Sequence, residues 1–437
     1  MKNSHFQLLT VADILLLCLP TFFLVITLWQ IVSTTCSSTE KYLLATRTQN
    51  YRRGTDFAKY YCQGYLAAHN PSRLYDTQTQ GKWLLGLADN QSADPKNFCA
   101  SEYTPPLCVA MIPFTALPIE KSYGVWMILQ IAFASTIIYF FGKKVKRNWQ
   151  ITDWVYFAII ILGSTVFSAN AMVGQTSLFM IGFLSLFFSG LYQNRSLLGG
   201  VPLALAAIFK PQHCLIPIVM ALCNRRWNIL GVFVLTSTLL YCCSAFILGW
   251  QTIIDYPTFL DRFNTAIYSD QFFSLRPVCI NIYALLSYFL PSSQTRIIGY
   301  LLTITSVILS YYIWRKALQI GKHSYGLALL STMALALVLN LHSNYNDLLI
   351  LAIPWCLVVS RIGFSKLNLI DSAKDRWWSI GFLVFWLGEA LLLLIFGIQS
   401  IHWNVAILTI LALVSWLQLL QGNRSPAEAK DNFDTSK

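Results

Sequence analysis

The chain alternates between long apolar segments and short polar connections, and one polar stretch near the N-terminus is far longer than the others. After a first apolar run at 11–32, residues 33–104 are mostly polar, and the remainder is nearly continuous in apolar segments. Apolar runs of about 20 residues are long enough to cross a bilayer as helices. The pattern therefore predicts an all-α integral membrane protein that forms a single polytopic domain over 1–437.

Twelve apolar segments are candidate membrane spans. They are 11–32, 122–142, 151–169, 172–192, 197–209, 212–223, 228–248, 296–314, 324–341, 345–360, 377–396 and 402–420. Lys and Arg are enriched in cytoplasmic loops of membrane proteins. The basic clusters of this chain lie at 143–147, 225–226, 315–316, 361–366 and 424.

A bundle of about twelve transmembrane helices with both ends in the cytoplasm places every basic cluster inside. The same arrangement places 33–104 outside as a first large extracytoplasmic loop and 249–295 outside as a second one. It leaves 421–437 as a cytoplasmic tail. Two further apolar stretches, 105–119 and 278–291, would each misplace a basic cluster if they crossed alone. They are predicted to be re-entrant or interfacial helices, with a full crossing as the alternative.

The segments 197–209 and 212–223 are too short for full spans. Thirteen helical residues reach roughly 20 Å, whereas the hydrocarbon core of a bilayer is about 30 Å thick. We therefore expect a hairpin with Lys210 at its apex. One long helix through Pro211 is the alternative, but it would place the 225–226 cluster outside.

Composition supports a membrane protein. The chain of 437 residues is 56% hydrophobic and 11% charged, with mean hydropathy +0.54, whereas soluble domains are about 25% charged. The net charge of +12 follows from the basic loops, so nucleic acid is not an expected partner. No metal or cofactor motif occurs. Cys36, Cys62 and Cys99 belong to the first loop or its edge, and one pair of them could form a disulfide in an oxidising compartment.

Asp56 is the first candidate for chemistry. It begins a segment with aromatic residues at helical spacing, Phe57, Tyr60, Tyr61 and Tyr65. A carboxylate just beyond the first span, followed by an aromatic face lying on the membrane, suits a general base. The structural alternative is that Asp56 is only a helix N-cap.

Lys210 is the second candidate, because a cation in an apolar hairpin costs on the order of 2.5–3.5 kcal/mol by insertion scales. We expect it to bind the phosphate of a lipid carrier, with snorkelling to the interface as the alternative. His342 and Asp347 lie where two spans meet outside. There His342 could orient a phosphate oxygen and Asp347 could hold His342, or both could belong to a hydrogen-bonded helix end with Asn344 and no ligand.

Gln175 and Arg276 complete this set. Gln175 follows Gly174 at the outer start of a span, where its amide could cap the helix or contact sugar hydroxyls. Arg276 in the second loop is another candidate phosphate ligand. No Walker A or Rossmann glycine pattern occurs, so a sugar donor, if there is one, is expected to be lipid-linked.

Five short motifs in order resemble glycosyltransferase family 87, a polytopic group of the GT-C superfamily, and together they cover residues 50–350. The motifs are Asp56-Phe57 with Leu74-Tyr75-Asp76, Tyr103-Thr104-Pro105-Pro106-Leu107, Gly174-Gln175-Thr176-Ser177-Leu178, Gly199-Gly200 through Lys210-Pro211-Gln212 to Arg225-Arg226-Trp227, and Asn346-Asp347-Leu348-Leu349. Three positions depart from the family pattern. Thr176 replaces an Asn, Thr104 is inserted in the Tyr-Pro-Pro stretch, and Asn346 stands where Tyr is common.

The resemblance implies a GT-C-type bundle whose large first loop contains interfacial helices. It implies inverting transfer of a hexose, with mannose among the sugars used by such families, from a polyprenyl-phosphate-linked donor. The acceptor would be a lipid or glycan at the extracytoplasmic (periplasmic) face of the inner or plasma membrane, and Asp56 would be the base. Tyr103 and Gln212 join the candidate substrate-binding residues through their motifs.

Two other functions fit many spans with buried charges. One is a polytopic lipid or sugar transporter or flippase, and the other is a non-catalytic assembly subunit. Transporters often contain inverted repeats with broken helices in matching positions. Here only the short pair within 197–223 has that character.

Overall fold

The computed structural model describes residues 11–37, 55–88, 102–145, 149–267, 279–321, 324–340, 343–359, 373–396 and 403–421. The regular secondary structure of these residues is helical, apart from one isolated antiparallel bridge between Cys279 and Asn344. The α-helices up to residue 223 are α1 (Val11–Cys36), α2 (Thr55–His69), α3 (Thr77–Ala88), α4 (Pro105–Met111), α5 (Ile119–Val145), α6 (Ile151–Leu162), α7 (Thr165–Val173), α8 (Ser177–Gln193), α9 (Ser196–Phe209) and α10 (Leu215–Cys223).

The C-terminal half continues the same architecture. Its α-helices are α11 (Trp227–Leu248), α12 (Trp250–Ile267), α13 (Ile282–Leu286), α14 (Ser292–Ile320), α15 (Tyr325–Leu339), α16 (Ala352–Val358), α17 (Ala373–Phe396) and α18 (Trp403–Gln421). Short 3-10 helices join several of them, at Pro71–Arg73, Ile112–Ala116, Pro211–Cys214 and Tyr345–Leu351.

Four helices of the described residues are long and apolar enough to cross a membrane. They are α1 over Leu17–Cys36, α11, α14 over Ser293–Ile320, and α18, and the bent pair α6–α7 adds a fifth if it forms one span. Their surfaces agree with lipid contact, since at most a third of each of these four apolar windows is buried. The expected all-helical membrane architecture is confirmed, while the number of twelve crossings stays a prediction.

The chain turns back on itself at Lys210. Helix α9 ends at Phe209 and α10 follows the 3-10 turn at Pro211–Cys214. At the far end of α10, the Arg226 Nη1 atom donates to Asn194 Oδ1 at 2.7 Å, which returns the chain to the residues that precede α9. This agrees with the predicted hairpin and not with one long helix through Pro211.

Close backbone approaches hold α9 between its neighbours. A Cβ on Gly190 of α8 would lie 2.2 Å from the Gly199 backbone nitrogen, and one on Gly200 would lie 2.6 Å from Val232 of α11. Side chains at these positions would push the helices apart. The Gly199-Gly200 pair is therefore a packing feature, and it fixes where α9 delivers Lys210.

The described parts of the apolar stretches 105–119 and 278–291 contain short helices. In the first stretch, α4 has seven residues and the following 3-10 helix has five, so together they fall well short of the 30 Å that a full crossing needs. In the second, α13 has five residues. Both lengths agree with the non-spanning interpretation.

The expected aromatic face of α2 does not lie on the membrane. Phe57 and Tyr60 are almost fully buried, and their rings lie 6.0 and 5.5 Å from the ring of Trp126 on α5. A Cβ on Gly64 would lie 2.7 Å from the Met111 carbonyl oxygen, so α2 also packs closely on α4. The prediction was wrong for Phe57 and Tyr60, which form the core that joins the first loop to the bundle, whereas Tyr65 is 36% exposed.

Tyr75 and Asp76 of the first motif have structural roles. Tyr75 donates from its hydroxyl to the Tyr103 carbonyl oxygen at 2.9 Å. Asp76 precedes α3 and accepts from the backbone nitrogen of Gln78 at 3.0 Å. Burial opposes ionisation of Asp76, but hydrogen bonds from Arg73 and its α3 neighbours outweigh burial and lower the pKa of that carboxyl.

The thiols of Cys36 and Cys62 are free, and Cys62 is fully buried. A Cys36–Cys62 disulfide is therefore not formed. Cys99 lies outside the described residues.

Candidate active site

The Asp56 carboxylate lies at the start of α2, one residue after Thr55, and its side chain is 22% exposed. Its Oδ2 atom accepts a hydrogen bond of 2.5 Å from Gln175 Nε2. Its Oδ1 atom lies 3.4 Å from Lys59 Nζ. Both carboxylate oxygens contact side chains, and Asp56 lies within the first turn of α2. It remains accessible enough to meet a substrate.

Gln175 is itself held by a tyrosine. The Tyr60 hydroxyl donates to Gln175 Oε1 at 3.1 Å. Burial, helped by the nearby Asp56 charge, raises the pKa of Tyr60 above its ordinary value, so the hydroxyl stays protonated and can donate. The ring of Tyr60 stacks on Tyr103 with centroids 4.0 Å apart. The Gln175 amide is therefore oriented, with its nitrogen turned toward Asp56.

The turn that presents Gln175 depends on Gly174. This glycine ends α7 with φ 74° and ψ 32°, the left-handed region, which glycine adopts without strain. Its missing side chain also lets α2 approach, since a Cβ here would lie 2.6 Å from Phe57 Cβ. The Trp126 indole donates to the Gly174 carbonyl oxygen at 2.9 Å, and the Gln175 backbone nitrogen donates to the Asn170 carbonyl oxygen at 3.0 Å.

A second polar cluster surrounds Asp347, whose side chain is 1% exposed. The Lys210 ammonium donates to its Oδ1 atom, and His213 Nε2 lies 3.3 Å from Oδ2. The Asn344 backbone nitrogen also donates to Oδ2 at 3.0 Å, which caps the 3-10 helix at Tyr345–Leu351. Lys210 is therefore a buried, paired cation, and the snorkelling interpretation was wrong.

Helix α8 joins the two clusters at its N-terminus. The Ser177 hydroxyl, in the first turn of α8, donates to Asp347 Oδ1 at 3.4 Å, while Gln175, two residues earlier, contacts Asp56. The positive end of the helix dipole favours carboxylates here. The inserted Thr104 adds a further link, because its hydroxyl donates to the Ile208 carbonyl oxygen at 2.6 Å, just before Lys210.

The structure brings together most of the predicted site residues. Asp56, Gln175 and Tyr103 belong to the first cluster, and Lys210 and Asp347 form the ion pair of the second. Gln212 is half-buried, and its carbonyl oxygen accepts from Asn340 Nδ2 at 3.3 Å, which ties the Lys210 turn to the end of α15.

The predicted partners His342 and Arg276 lie outside the described residues. The interpretation of Asp347 as the residue that holds His342 therefore stays a prediction. The basic side chains that contact this carboxylate among the described residues are Lys210 and His213.

Three residues of the site were missed as contributors: His213, Ser177, and Tyr60 as a hydrogen-bond donor. A signal for His213 was available, because side chains three residues apart in a 3-10 turn point the same way and Lys210 precedes His213 by three. Tyr60 and Ser177 could not be found from spacing, since their partners are more than 100 residues away in sequence.

Two buried polar groups lie next to the ion pair in sequence. The Asn346 Nδ2 atom and the Ser343 hydroxyl have no hydrogen-bond partner among the described residues. A buried donor without an acceptor costs about 1–3 kcal/mol. The segment that carries Asp347 therefore has two buried groups whose hydrogen bonds no described residue satisfies.

Comparison with known proteins gives one match. The family model for glycosyltransferase family 87 matches residues 102–343, which is more than half of the chain. The matched region includes Tyr103, Gln175 and Lys210, while Asp56 and Asp347 lie on either side of it. No curated protein matches the chain.

Proposed function

We propose, from the premise that the chain belongs to glycosyltransferase family 87, that this membrane glycosyltransferase moves a hexose from a polyprenyl-phosphate-linked donor to a lipid or glycan acceptor. One observation supports the proposal most strongly. An accessible carboxylate, Asp56, and a buried cation, Lys210, are both tied to the N-terminal end of α8, through Gln175 just before the helix and through the Ser177–Asp347 contact.

Asp56 would be the general base. Its carboxylate takes the proton from an acceptor hydroxyl as that oxygen attacks the anomeric carbon of the donor sugar. Such proton transfer typically contributes about 10²–10⁴ in rate. Gln175 donates to one oxygen of Asp56, so it fixes the carboxylate and leaves the other oxygen, which faces Lys59, to meet the acceptor.

The bond from the anomeric carbon to the phosphate oxygen breaks on the opposite face of the sugar, so the configuration inverts and polyprenyl phosphate leaves. Negative charge then grows on the phosphate, and preorganised donors stabilise it. Lys210 has three N–H groups and gives one to Asp347, so two remain for the phosphate.

The charge of Lys210 alone is not enough for this step. Asp347 cancels it within the pair, so further donors are needed, and His213 lies 3.3 Å from the same carboxylate. Neutral donors would add to the site, and Asn346 Nδ2 and the Ser343 hydroxyl have such bonds to give. The phosphate would thus be bound by the Lys210 ammonium together with neutral donors.

A lipid-linked donor suits the surroundings of this cluster. Lys210 is 7% exposed and follows the apolar helix α9, which packs on the lipid-exposed helix α11. A substrate whose phosphate is attached to an isoprenoid chain can approach from the membrane. We place this reaction at the extracytoplasmic face, as the basic loops predict.

The test is the variant Asp56→Asn, purified in detergent and assayed with a panel of polyprenyl-phosphate hexoses and membrane-extracted acceptors. Asparagine keeps the shape and the acceptor for Gln175 but cannot take a proton at neutral pH. We expect transfer to fall by about 10²–10⁴ with normal expression. The matched control is Asp76→Asn, another carboxylate in the same loop, which should keep full activity.

Two outcomes would contradict the proposal. Full turnover by Asp56→Asn would remove Asp56 from the base role, and a wild-type protein that transfers no sugar from any such donor would remove the donor class.

For Lys210→Ala we expect a larger rise in KM for the donor than for the acceptor. An equal loss for both would indicate a structural lysine.

A further inference from the structure

The end of α8 opposite the active site has a separate cluster of charge. Helix α8 has 17 residues, so about 26 Å separates its ends, which is close to the thickness of a bilayer core. At this far end, Arg226 Nη1 donates to Asn194 Oδ1 at 2.7 Å. The Cys223 thiol lies 3.9 Å from the Tyr311 carbonyl oxygen of α14. The connections after α8 and α10 therefore meet the C-terminal third of α14 at one end of the bundle.

Four arginines lie in this region. Arg195, Arg225 and Arg226 belong to the two connections, and Arg315 lies within α14, four residues after Tyr311. All are exposed except Arg226, which is half-buried and whose Nε atom has no hydrogen-bond partner among the described residues. No ion pair of the described chain includes any of the four. Four like charges that pair with no carboxylate of the described residues repel one another, so an external anion at this place would stabilise the fold.

The backbone gives independent support. Helices α8 and α10 end in the same way, with a hydrogen bond from Arg195 N to Gly190 O and one from Arg226 N to Ala221 O, both 2.9 Å. The residue before each donor is left-handed, Asn194 with φ 55° and Arg225 with φ 52°.

Glycine is the usual residue in such a cap and asparagine is tolerated, whereas a longer side chain costs roughly 1–2 kcal/mol. Arg225 occupies this position despite that cost. Strained backbone of this kind tends to lie at ligand clamps. The guanidinium is therefore expected to make a contact that offsets the strain.

We propose that Arg195, Arg225, Arg226 and Arg315 bind the phosphate headgroup of an anionic phospholipid in the leaflet opposite the active site. Basic pockets between transmembrane helices bind such headgroups, and guanidinium groups match phosphate with paired hydrogen bonds. Trp227 follows directly and is 63% exposed, as expected for an aromatic residue at the membrane interface. The site is independent of the proposed sugar transfer.

The test uses the full-length protein in a neutral detergent, titrated with phosphatidylglycerol or phosphatidylcholine while the melting temperature is followed. We expect phosphatidylglycerol to raise the melting temperature and phosphatidylcholine to leave it unchanged. Each arginine near an anionic surface is worth about a fivefold change in affinity. Arg225→Gln should therefore shift the titration midpoint about fivefold, whereas Arg73→Gln, an exposed arginine of the first loop, should not shift it.

Arg225→Gly separates ligand binding from folding. Without lipid it should melt at or above the temperature of the wild type, because glycine relieves the left-handed strain, yet its response to phosphatidylglycerol should weaken like that of Arg225→Gln. An unchanged response in Arg225→Gly, an equal loss in Arg73→Gln, or the same stabilisation by inorganic phosphate or glycerol 3-phosphate would overturn the proposal.

Discussion

Replacing Asp347 by asparagine removes the negative charge that contacts both Lys210 and His213. Asparagine keeps nearly the same volume and an oxygen that can still accept from the Asn344 backbone nitrogen at 3.0 Å. The substitution therefore removes the charge and leaves the cap of the following 3-10 helix. It leaves Lys210, whose side chain is 9% exposed, without a counter-charge.

The magnitude follows from burial. Breaking a buried pair by removing one partner costs about 3–5 kcal/mol, because the other charge stays desolvated and uncompensated. With Asp347 1% exposed and Lys210 9% exposed, Asp347→Asn should fall in this range. Removing the second charge as well, in Lys210→Met with Asp347→Asn, should recover about 2 kcal/mol or more, since an apolar replacement of a buried pair is often neutral.

The assay is reversible unfolding of the purified protein by denaturing detergent, measured for the wild type, the two single variants and the double variant. The double-mutant cycle yields the interaction energy between the two side chains. The argument would be refuted if the losses of unfolding free energy in the two single variants added up to the loss in the double variant within about 0.5 kcal/mol. Side chains that are uncoupled in this way cannot form a stabilising ion pair. The double variant should stay inactive in sugar transfer even though its stability returns.

Three further substitutions test the rest of the site. Gln175→Leu removes the donor to Asp56, and we expect kcat to fall about 100-fold with little change in donor KM and a normal melting temperature. Gly174→Ala should lower stability by about 1–2 kcal/mol in the same unfolding assay, because alanine disfavours the left-handed region and its Cβ would meet Phe57. Asp76 has a lowered pKa, so its ionised form stabilises the fold above the ordinary carboxyl range, and this contribution is lost as pH falls through the lowered pKa. Unfolding free energies measured from pH 7 down to pH 3 should show Asp76→Asn to be less stable than the wild type at neutral pH. The difference between the two proteins should shrink below about pH 4.

Much of the helical architecture could be predicted because a bilayer imposes strict limits on length and hydropathy. The break at Lys210-Pro211 followed from segments too short to span, and the return of α10 toward Asn194 agrees with it. The burial of the α2 aromatic face could not be predicted. An amphipathic pattern shows that one face is apolar, but it does not say whether lipid or protein covers that face, and here α4 and α5 cover it.

Candidate residues could be named one by one, but their pairing could not. Lys210 was a candidate because burying a cation is costly, and Asp56 was a candidate because it lies just after the first span. That Asp347 is the counter-ion of Lys210 depends on an approach of residues 137 positions apart. Neither composition nor periodicity predicts this contact, because the sequence around each residue would be the same if that residue had a different partner.

The connection from α7 into α8 explains why such distant residues lie together. Gln175 lies two positions before Ser177, the first residue of α8, and each contacts a carboxylate from a different part of the chain. A movement of this segment would displace Asp56 and the Lys210–Asp347 pair at the same time, so their spacing is set by one segment of the chain. Functional groups held on a helix end with supporting hydrogen bonds keep their geometry better than groups on loops. The Tyr60 bond to Gln175 and the Trp126 bond to Gly174 supply that support, which is why residues without chemistry of their own are needed at this site.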